Sequence, residues 1–342
     1  MRRRLFVSAS LIAAGAAGSP WPLWRLRANT RADRLERGSD GRFVVRGAAL
    51  AFDTSLSICA LHEDPVRARS AVSRALARVS WLDTQLVVQR PGSQVSRLNG
   101  AGRLDRPDPH LVRLLQFAQT LADASGGAFD PTVQPLWELH RACQQRGCRP
   151  TRDQLAQARA RIDWSAIDTG SRRVTLGPGM AITLNGLVQG YAADIAFDAL
   201  AQDGVTDALI DTGEYGTLGS GPSGRAWRVG IQHPRDASAL IGVVPMDGRF
   251  LATSGDYSTR FTDDFTLHHI FDPRTGVSPP GLSCVAVAAR SGLLADGLTK
   301  PMMVLNLAAA RELLDRYPGA GAAWIDKSSR IVATRNLLIE PA

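Results

Sequence analysis

The sequence predicts an α+β fold with mixed, largely antiparallel sheets and helices packed against them. Helical and strand-like patterns alternate without the regular strand–helix–strand order of a parallel array. Several strand-like runs are close enough in sequence to pair as hairpins. Residues 43–336 contain no internal repeat and no low-complexity linker, so we expect a single domain over this range.

Three helices are expected in the N-terminal half. Residues 43–62 alternate well enough for two strands, and 90–99 form a polar stretch expected to be a loop. A second helix is expected over 109–123 and a short polar one over 150–163. The first helix is expected over 65–82, where apolar residues recur at the spacing of one helical face: Ala68, Val72, Ala75, Leu76, Val79 and Leu82.

The C-terminal half should carry most of the strands. A strand at 181–184 leads into a helix over 187–201, and two further helices are expected over 293–306 and 308–316. This mixed order favours α+β over a regular array. The other strand-like runs are 208–211, 227–232, 241–245, 250–252, 283–289, 321–325 and 331–334.

The composition indicates a folded protein and disfavours nucleic-acid binding. The chain has 342 residues, 44% hydrophobic and 21% charged, which is enough for a sizeable core. Its net charge of +8 comes almost entirely from arginines, since Lys300 and Lys327 are the only lysines. No dense basic run with interleaved aromatic residues follows the N-terminus, so we expect no nucleic-acid partner.

The N-terminus has the pattern of an export signal. Arginines at 2–4 precede an apolar stretch that ends near Gly18 and is too short to span a membrane. Two arginines before x-Phe-Val fit the twin-arginine type. We therefore expect a signal over 1–19, a linker over 20–42, no membrane span in the mature chain and a periplasmic location. The alternative is a frayed tail or an uncleaved anchor.

Two of the four cysteines could form a disulfide. Cys143 and Cys148 are separated by four residues of an expected polar loop, and such a pair could be joined in an oxidising compartment. Zinc is disfavoured because only His140 lies nearby and a four-ligand set is missing. Cys59 and Cys284 lie in strand-like runs, where a free cysteine is usually a small buried apolar residue.

Three polar clusters in the last third of the chain indicate a functional site. They are residues 253–257, 268–276 and 295–299, between apolar strand-like runs. Such residues belong at strand ends, where loops present polar groups to a ligand. Asp296 and Thr299 would share one helix face, as two oxygen ligands of a hard cation would. The clusters together suggest a site for a phosphate and a divalent cation.

Two glycine-bearing motifs could have a function, although neither is specific alone. Taken alone, Gly-Gly-Ala-Phe-Asp-Pro-Thr at 126–132 is more typical of a helix end followed by a turn. Residues 183–194 suggest a strand, a glycine-bearing turn and a helix whose free N–H groups attract phosphate. This segment lacks the Lys-Ser/Thr of a P-loop and the spacing of a dinucleotide fingerprint.

Seven motifs follow one another in a defined order. They are Ser-x-x-Ser-Arg-Leu-Asn at 93–99, Gly-Gly-Ala-Phe-Asp-Pro-Thr at 126–132, Leu-Asn-Gly-x-x-x-Gly-Tyr-x-x-Asp at 184–194, Trp-Arg-Val-Gly-Ile at 227–231, Thr-Ser-Gly-Asp-Tyr at 253–257, His-His-Ile-Phe-Asp-Pro-Arg-Thr-Gly at 268–276 and Ala-Asp-Gly-Leu at 295–298. Their order and spacing resemble the ApbE family of FAD:protein FMN transferases over roughly residues 43–336. The resemblance implies an ApbE-like fold in an exported enzyme that binds FAD and Mg²⁺. Such an enzyme attaches FMN to a Thr of an acceptor protein and releases AMP. The leader and the segment after Leu184 more weakly resemble the branch linked to nitrous-oxide respiration.

The resemblance also implies roles for individual residues. A hard cation would neutralise charge on the oxygens of a diphosphate, and an imidazole with a pKa of about 6.5 can accept a hydroxyl proton. His269 is therefore a candidate base, with a purely structural histidine as the alternative. The implied positions are Ala128, Phe129, Asp130, Thr183, His269 and Ile270 for the flavin, and Gly186 and Asp296, with Thr299 beside it, for the metal.

Four cofactor or metal positions depart from the family pattern. Phe52 replaces a Met, Gln89 an aromatic residue, Gln189 a Lys and Lys300 a Thr. An ammonium cannot ligate Mg²⁺, although it could take part of the cation's place against a phosphate. Either Thr299 ligates the metal instead or metal binding is weakened. A surface lysine with neither role is the third interpretation.

We therefore expect an exported, Mg²⁺-dependent enzyme that moves FMN from FAD onto a Thr of an acceptor flavoprotein in a membrane electron-transfer system. His269 and Asp296 would be its catalytic residues. One alternative is an FAD-binding carrier or scaffold without transfer activity, and another is an FAD pyrophosphatase in which water replaces the acceptor. The segments 128–130, 183–189 and 254–270 are expected to converge on one FAD cleft.

Overall fold

The computed structural model describes residues 36–38, 40–222 and 224–342. These residues form three antiparallel sheets and eight α-helices, joined by loops. The prediction of an α+β fold with antiparallel sheets is therefore confirmed. The strands are β1 (Glu36–Arg37), β2 (Phe43–Ala51), β3 (Thr54–His62), β4 (Arg103–Asp105), β5 (Asp168–Thr169), β6 (Arg173–Thr175), β7 (Asp207–Asp211), β8 (Tyr215–Leu218), β9 (Arg228–His233), β10 (Asp236–Pro245), β11 (Phe250–Gly255), β12 (Leu282–Ala289), β13 (Gly321–Asp326) and β14 (Ile331–Ala333). The helices are α1 (Pro65–Leu86), α2 (Gln94–Ala101), α3 (Pro109–Ala124), α4 (Gln134–Gln145), α5 (Arg152–Arg159), α6 (Val188–Gln202), α7 (Gly292–Val304) and α8 (Leu307–Asp315), with a short 3-10 helix at Trp164–Ala166.

The main sheet joins the two halves of the chain. Its strand order is β1-β2-β3-β7-β8-β11-β12-β13-β14, so β7 lies beside β3 and β11 beside β8. The strands β9 and β10 form a separate ribbon, and β4, β6 and β5 form a small sheet. Polar segments that are far apart in sequence therefore reach neighbouring strand ends.

The main sheet is buried on both faces. Ala252 of β11 packs into the larger core with α1, α6 and α7. The preceding residue, Leu251, lies on the opposite face of the sheet and packs in a second cluster that contains Trp227. This alternation follows from the period of two along a strand. Strands covered on both sides contain little but apolar residues, as the β12 sequence Leu-Ser-Cys-Val-Ala-Val-Ala-Ala shows.

The helices α6 and α7 approach unusually closely. A Cβ added at Gly190 would lie 2.1 Å from the carbonyl oxygen of Gly292, and one at Gly292 would lie 2.3 Å from that of Gly190. Each helix also caps the other. Asp194 of α6 accepts the N–H groups of Gly292 and Leu293 at 2.6 and 2.9 Å, and Asp296 of α7 accepts the N–H of Gly190 at 3.0 Å. Free N–H groups of both first turns are thus satisfied.

Two predicted boundaries in the middle of the chain are wrong. The range 181–184 forms no strand, because the side chain of Asn99 binds both the N–H and the carbonyl of Ile182 at 2.8 Å and replaces a strand partner. The range 90–99 is not wholly a loop. The hydroxyl of Ser93 accepts the N–H of Ser96 at 3.0 Å and starts α2.

The stretch that contains Cys143 was also misinterpreted as a loop. It belongs to α4, which begins with a proline in its first turn, where proline is tolerated. Cys143 is buried at the end of this helix and Cys148 is exposed beyond it, and both are free thiols. The N–H of Cys148 donates to the carbonyl of Cys143 at 2.9 Å, so the chain turns back on the helix end.

The domain extends beyond both predicted ends. Glu36 and Arg37 pair with Val44 and Phe43, so the sheet starts inside the range assigned to the linker 20–42. Glu340 exchanges backbone hydrogen bonds with Val243 at 2.8 Å. The export signal at 1–19 and the linker up to residue 35 lie outside the described residues. Within the described ranges, no helix is long and apolar enough to cross a membrane.

We predict that Gly190→Ala destabilises the protein. The added methyl group would overlap the Gly292 carbonyl, and the two helices would have to separate. We expect the free energy of unfolding, measured by chemical denaturation, to fall by about 1–3 kcal/mol, as overpacking typically causes.

The matched control is Gly100→Ala. Gly100 lies on the exposed face of α2, where an added Cβ meets nothing within 4 Å. This change should leave stability unchanged or raise it by about 0.4–1 kcal/mol. Equal effects of the two substitutions would show that the α6–α7 contact is not tight.

Candidate functional site

The segment 183–186 connects the predicted flavin and metal positions. The N–H of Thr183 donates to the carbonyl of Pro131 at 2.8 Å, directly after Asp130. Two residues further on, the amide of Asn185 donates to the side chain of Gln89 at 3.2 Å. Consecutive contacts along this segment thus connect the neighbourhood of Asp130 with Thr183 and Gln89.

Gly186 continues this run to α7. A Cβ added at Gly186 would lie 3.2 Å from Cε of Lys300, so the lysine stem crosses the face of the glycine. The ammonium of Lys300 forms an ion pair with Oδ1 of Asp296 and lies 3.2 Å from the backbone carbonyl of the same residue. The Asp296 side chain is 1% exposed and that of Lys300 is 19% exposed. Lys300 is therefore largely buried and does not lie on the open surface.

Thr299 is engaged inside the protein. Its hydroxyl donates to the carbonyl of Asp296 at 2.6 Å and lies 2.7 Å from the hydroxyl of Ser254 on β11. Both Thr299 and Ser254 are buried. The Thr299 hydroxyl thus ties α7 to the sheet.

Two acidic residues that were not predicted as site residues lie where β7 leads into β8: Asp211 ends β7, and Glu214 lies in the turn before β8. Burial, and next the negative charge of Asp296, raise the pKa of Glu214 well above its usual value, while Lys300 acts in the opposite direction. Oε2 of Glu214 accepts the N–H of Thr253 at 2.9 Å. Burial raises the pKa of Asp211 to about 6. Acidic residues directly after a strand-like run were the available signal, as in the three clusters that were recognised.

Gln189 and Phe52 hold the turns around the site. The backbone carbonyl of Gln189 accepts a hydrogen bond from the hydroxyl of Thr212 at 2.9 Å. The side-chain nitrogen Nε2 of Gln189 lies 2.2 Å from the position that a Cβ of Gly213 would take. Gln189 thus lies against the β7–β8 turn. Phe52 has a φ of 53° in the β2–β3 turn, and its N–H donates to Asp83 at 2.6 Å. Phe52 therefore supports the end of α1, close in sequence to Gln89.

Asp130 lines a cavity of about 480 Å³. Its Oδ1 accepts the N–H and the hydroxyl of Thr132 at 2.8 and 2.6 Å, and its Oδ2 accepts the N–H of Trp164 at 3.3 Å. Burial raises the pKa of this carboxyl. Pro273 and Arg274 line the same cavity, so two predicted motifs meet there. Ala128 and Phe129 are buried directly before Asp130.

The two adjacent histidines have different environments. His268 is buried, and its backbone N–H donates to the hydroxyl of Ser278 at 2.9 Å, so it is a structural residue. His269 is half-buried, and its Nδ1 lies 3.2 Å from the carbonyl of Thr259. Burial and the adjacent His268 lower the pKa of His269 to about 4. Because a carbonyl only accepts, Nδ1 carries the proton and Nε2 is left with a lone pair.

Asp256 and Ile270 stabilise the loops of the site. The buried carboxylate of Asp256 accepts both terminal nitrogens of Arg235 at 2.7 and 2.8 Å and is also paired with Lys327. The Arg235 guanidinium lies over the ring of Phe265 at 4.0 Å. Ile270 is buried in the main core directly after His269. These contacts fix the loop that carries the imidazole.

The side chains around Asp296 do not fit a divalent cation. Its Oδ2 is bound to the N–H of Gly190 and its Oδ1 to the ammonium of Lys300. The hydroxyl of Thr299 is already hydrogen-bonded to protein oxygens. In the described ranges, no three His, Cys, Asp or Glu side chains converge as metal ligands. An ammonium lies where the resemblance implies a metal.

Comparisons with known proteins identify the family. The model of the ApbE family matches residues 52–324. An FAD:protein FMN transferase of Klebsiella pneumoniae (strain 342) is 30% identical over 309 residues, which are 86% of this chain and 92% of the relative. The apo form of the flavinyl transferase ApbE from Pseudomonas stutzeri has a TM-score of 0.74 and 27% identity, covering 86% of this chain and 96% of that one.

A second solved structure agrees in fold. The ApbE protein of Thermotoga maritima has a TM-score of 0.76 and 25% identity, covering 85% of this chain and 97% of that one. The family model spans most of the chain, and the Klebsiella relative is matched over nearly its whole length. On this evidence, the chain belongs to the ApbE family.

Proposed function

We propose that this protein transfers FMN from FAD onto a Thr hydroxyl of an acceptor flavoprotein and releases AMP. Relatives named FAD:protein FMN transferase support the reaction. The observation that carries the proposal is the continuous run of contacts from the cavity at Asp130 through Thr183 and Gly186 to Lys300. A dinucleotide needs an elongated site of this kind, with apolar walls and a few fixed polar groups.

The reaction would be a displacement at phosphorus. The Thr oxygen attacks the phosphorus that is esterified to riboflavin and forms the new P–O bond, while the bond from this phosphorus to the bridging oxygen breaks. AMP leaves with the bridging oxygen. The hydroxyl proton passes to Nε2 of His269, which is unprotonated near neutral pH. The ammonium of Lys300 stabilises the negative charge on the phosphate oxygens.

The proposal also covers the cellular location of the protein and the system to which its acceptor belongs. The arginine-rich leader supports export by the twin-arginine route to the periplasm, where the acceptor would belong to a membrane electron-transfer system. The resemblance also implies Mg²⁺. The side chains of Asp296 and Thr299 do not fit that ion, and no step of the reaction is assigned to it.

The direct test is mass spectrometry of a transfer reaction. The purified protein is incubated with FAD and MgCl₂, with and without a candidate acceptor domain. We expect the acceptor to gain the mass of one FMN moiety at a single Thr, and AMP to appear only when the acceptor is present. AMP and free FMN without an acceptor would indicate a pyrophosphatase. Bound but unchanged FAD would indicate a carrier, and either result would contradict the proposal.

We predict that Asp296→Asn lowers both stability and transfer. The amide keeps an acceptor for the N–H of Gly190 but leaves the ammonium of Lys300 without its counter-charge. Removing one partner of a buried pair costs about 3–5 kcal/mol, and partial exposure of Lys300 should reduce this to about 1–3 kcal/mol. Denaturation and FMN transfer are measured on the same preparation. Asp315→Asn, at an exposed position of α8, is the control and should change neither.

We also predict that the contribution of His269 is independent of pH between 5 and 8. An imidazole with a pKa of about 4 is unprotonated throughout this range, so the base form is lost only below it. The ratio of wild-type to His269→Gln transfer rates isolates this group from other titrating residues, and we expect a constant ratio of about a hundredfold or more. A ratio that falls about tenfold by pH 5.5 would indicate an ordinary histidine pKa and contradict the assignment.

A further inference from the structure

Lys300 reaches the centre of the site because Gly186 has no side chain. Atoms Cγ, Cδ and Cε of the lysine would lie 3.2–3.6 Å from a Cβ at Gly186, so the glycine leaves a channel for the stem. The stem is largely buried, and the ammonium is held at Asp296. An entropically flexible side chain is thus fixed by packing along its length.

The charges around the ammonium favour a cation at this point. The carboxylate of Asp296 contacts it directly, while Asp211 ends β7 and Glu214 lies in the turn between β7 and β8. Glu214 is within the electrostatic range of both Asp296 and Lys300. A divalent ion on the same Asp296 oxygen would have to lie within about 4 Å of the ammonium, where like charges repel strongly.

Among the described residues, the ammonium contacts only oxygens of Asp296. Of its three N–H groups, one binds Oδ1 of Asp296 and one faces the backbone carbonyl of Asp296 at 3.2 Å. The third could donate to a ligand oxygen. A charge-assisted hydrogen bond from an ammonium to a phosphate oxygen is a strong contact in a water-poor site.

We propose that the ammonium of Lys300 is the resident cation of this site, so that the protein binds the diphosphate of its ligand without a divalent metal ion. The nature of that ligand, a flavin dinucleotide, rests on the proposed function. The exclusion of the metal rests only on the contacts of Lys300, Asp296 and Gly186.

The first test measures Mg²⁺ binding without FAD, by isothermal titration calorimetry and by the shift of the melting temperature in MgCl₂. We expect no binding and no shift for the wild-type protein. Lys300→Thr removes the ammonium and supplies a hydroxyl, so this variant should bind Mg²⁺ and be stabilised by it. Arg311→Thr removes a positive charge from an exposed position of α8 and should behave like the wild type. Saturable binding of Mg²⁺ by the wild-type protein, lost in Asp296→Asn, would overturn the proposal.

The second test measures FAD affinity by fluorescence titration in chelator and in MgCl₂. The wild-type dissociation constant should be the same in both. Lys300→Thr should bind FAD about tenfold or more weakly in chelator, as expected for a lost charged partner, and should regain affinity with MgCl₂. Lys300→Arg keeps the charge and should remain independent of the metal. It also serves if Lys300→Thr does not fold.

The two tests separate the two proposals. A wild-type protein that binds FAD about tenfold more tightly in MgCl₂ than in chelator would overturn the role of Lys300, whether or not FMN is transferred. If the protein binds FAD in neither buffer, the proposed function fails. The Mg²⁺ titration of the FAD-free protein then still decides whether Lys300 excludes the metal.

Discussion

The site depends on the close contact between α6 and α7. Gly190 and Gly292 allow the two backbones to meet, and Asp194 and Asp296 each satisfy N–H groups at the start of the opposite helix. This contact places the Asp296 carboxylate at the N-terminus of α6, where the helix dipole favours negative charge. The second oxygen of the same carboxylate holds Lys300. One side chain therefore links the packing of two helices to the electrostatics of the site.

The electrostatic arrangement suits an anionic ligand. The acidic groups of the site are either paired or have a raised pKa. Their electrostatic repulsion of a phosphate is therefore weaker than that of the same number of free carboxylates. Asp296 is paired with an ammonium, and burial raises the pKa values of Glu214 and Asp130. The lowered pKa of His269 leaves a neutral imidazole with an available lone pair. A fixed cation and a neutral base are what a displacement at phosphorus requires near neutral pH.

Much of this arrangement could be predicted from the sequence. Periodicity identified the long helices and the central strands, and the ordered motifs identified the family. Side-chain contacts over long distances in sequence could not be predicted. The side chain of Asn99 takes the place of a strand partner at Ile182. Glu214 accepts the N–H of Thr253 only because β8 lies beside β11. The orientation of Lys300 toward Asp296 likewise depends on the packing of its stem against Gly186.

The central claim is that an ammonium serves as the cation of an FMN-transfer site. The most direct test is the extent of FMN transfer to an acceptor domain in excess chelator, compared with the same reaction in MgCl₂, measured by the mass of the intact acceptor. This account predicts that the acceptor gains one FMN moiety at equal rates in both buffers. An acceptor that stays unmodified in chelator and gains FMN only when MgCl₂ is added would contradict it.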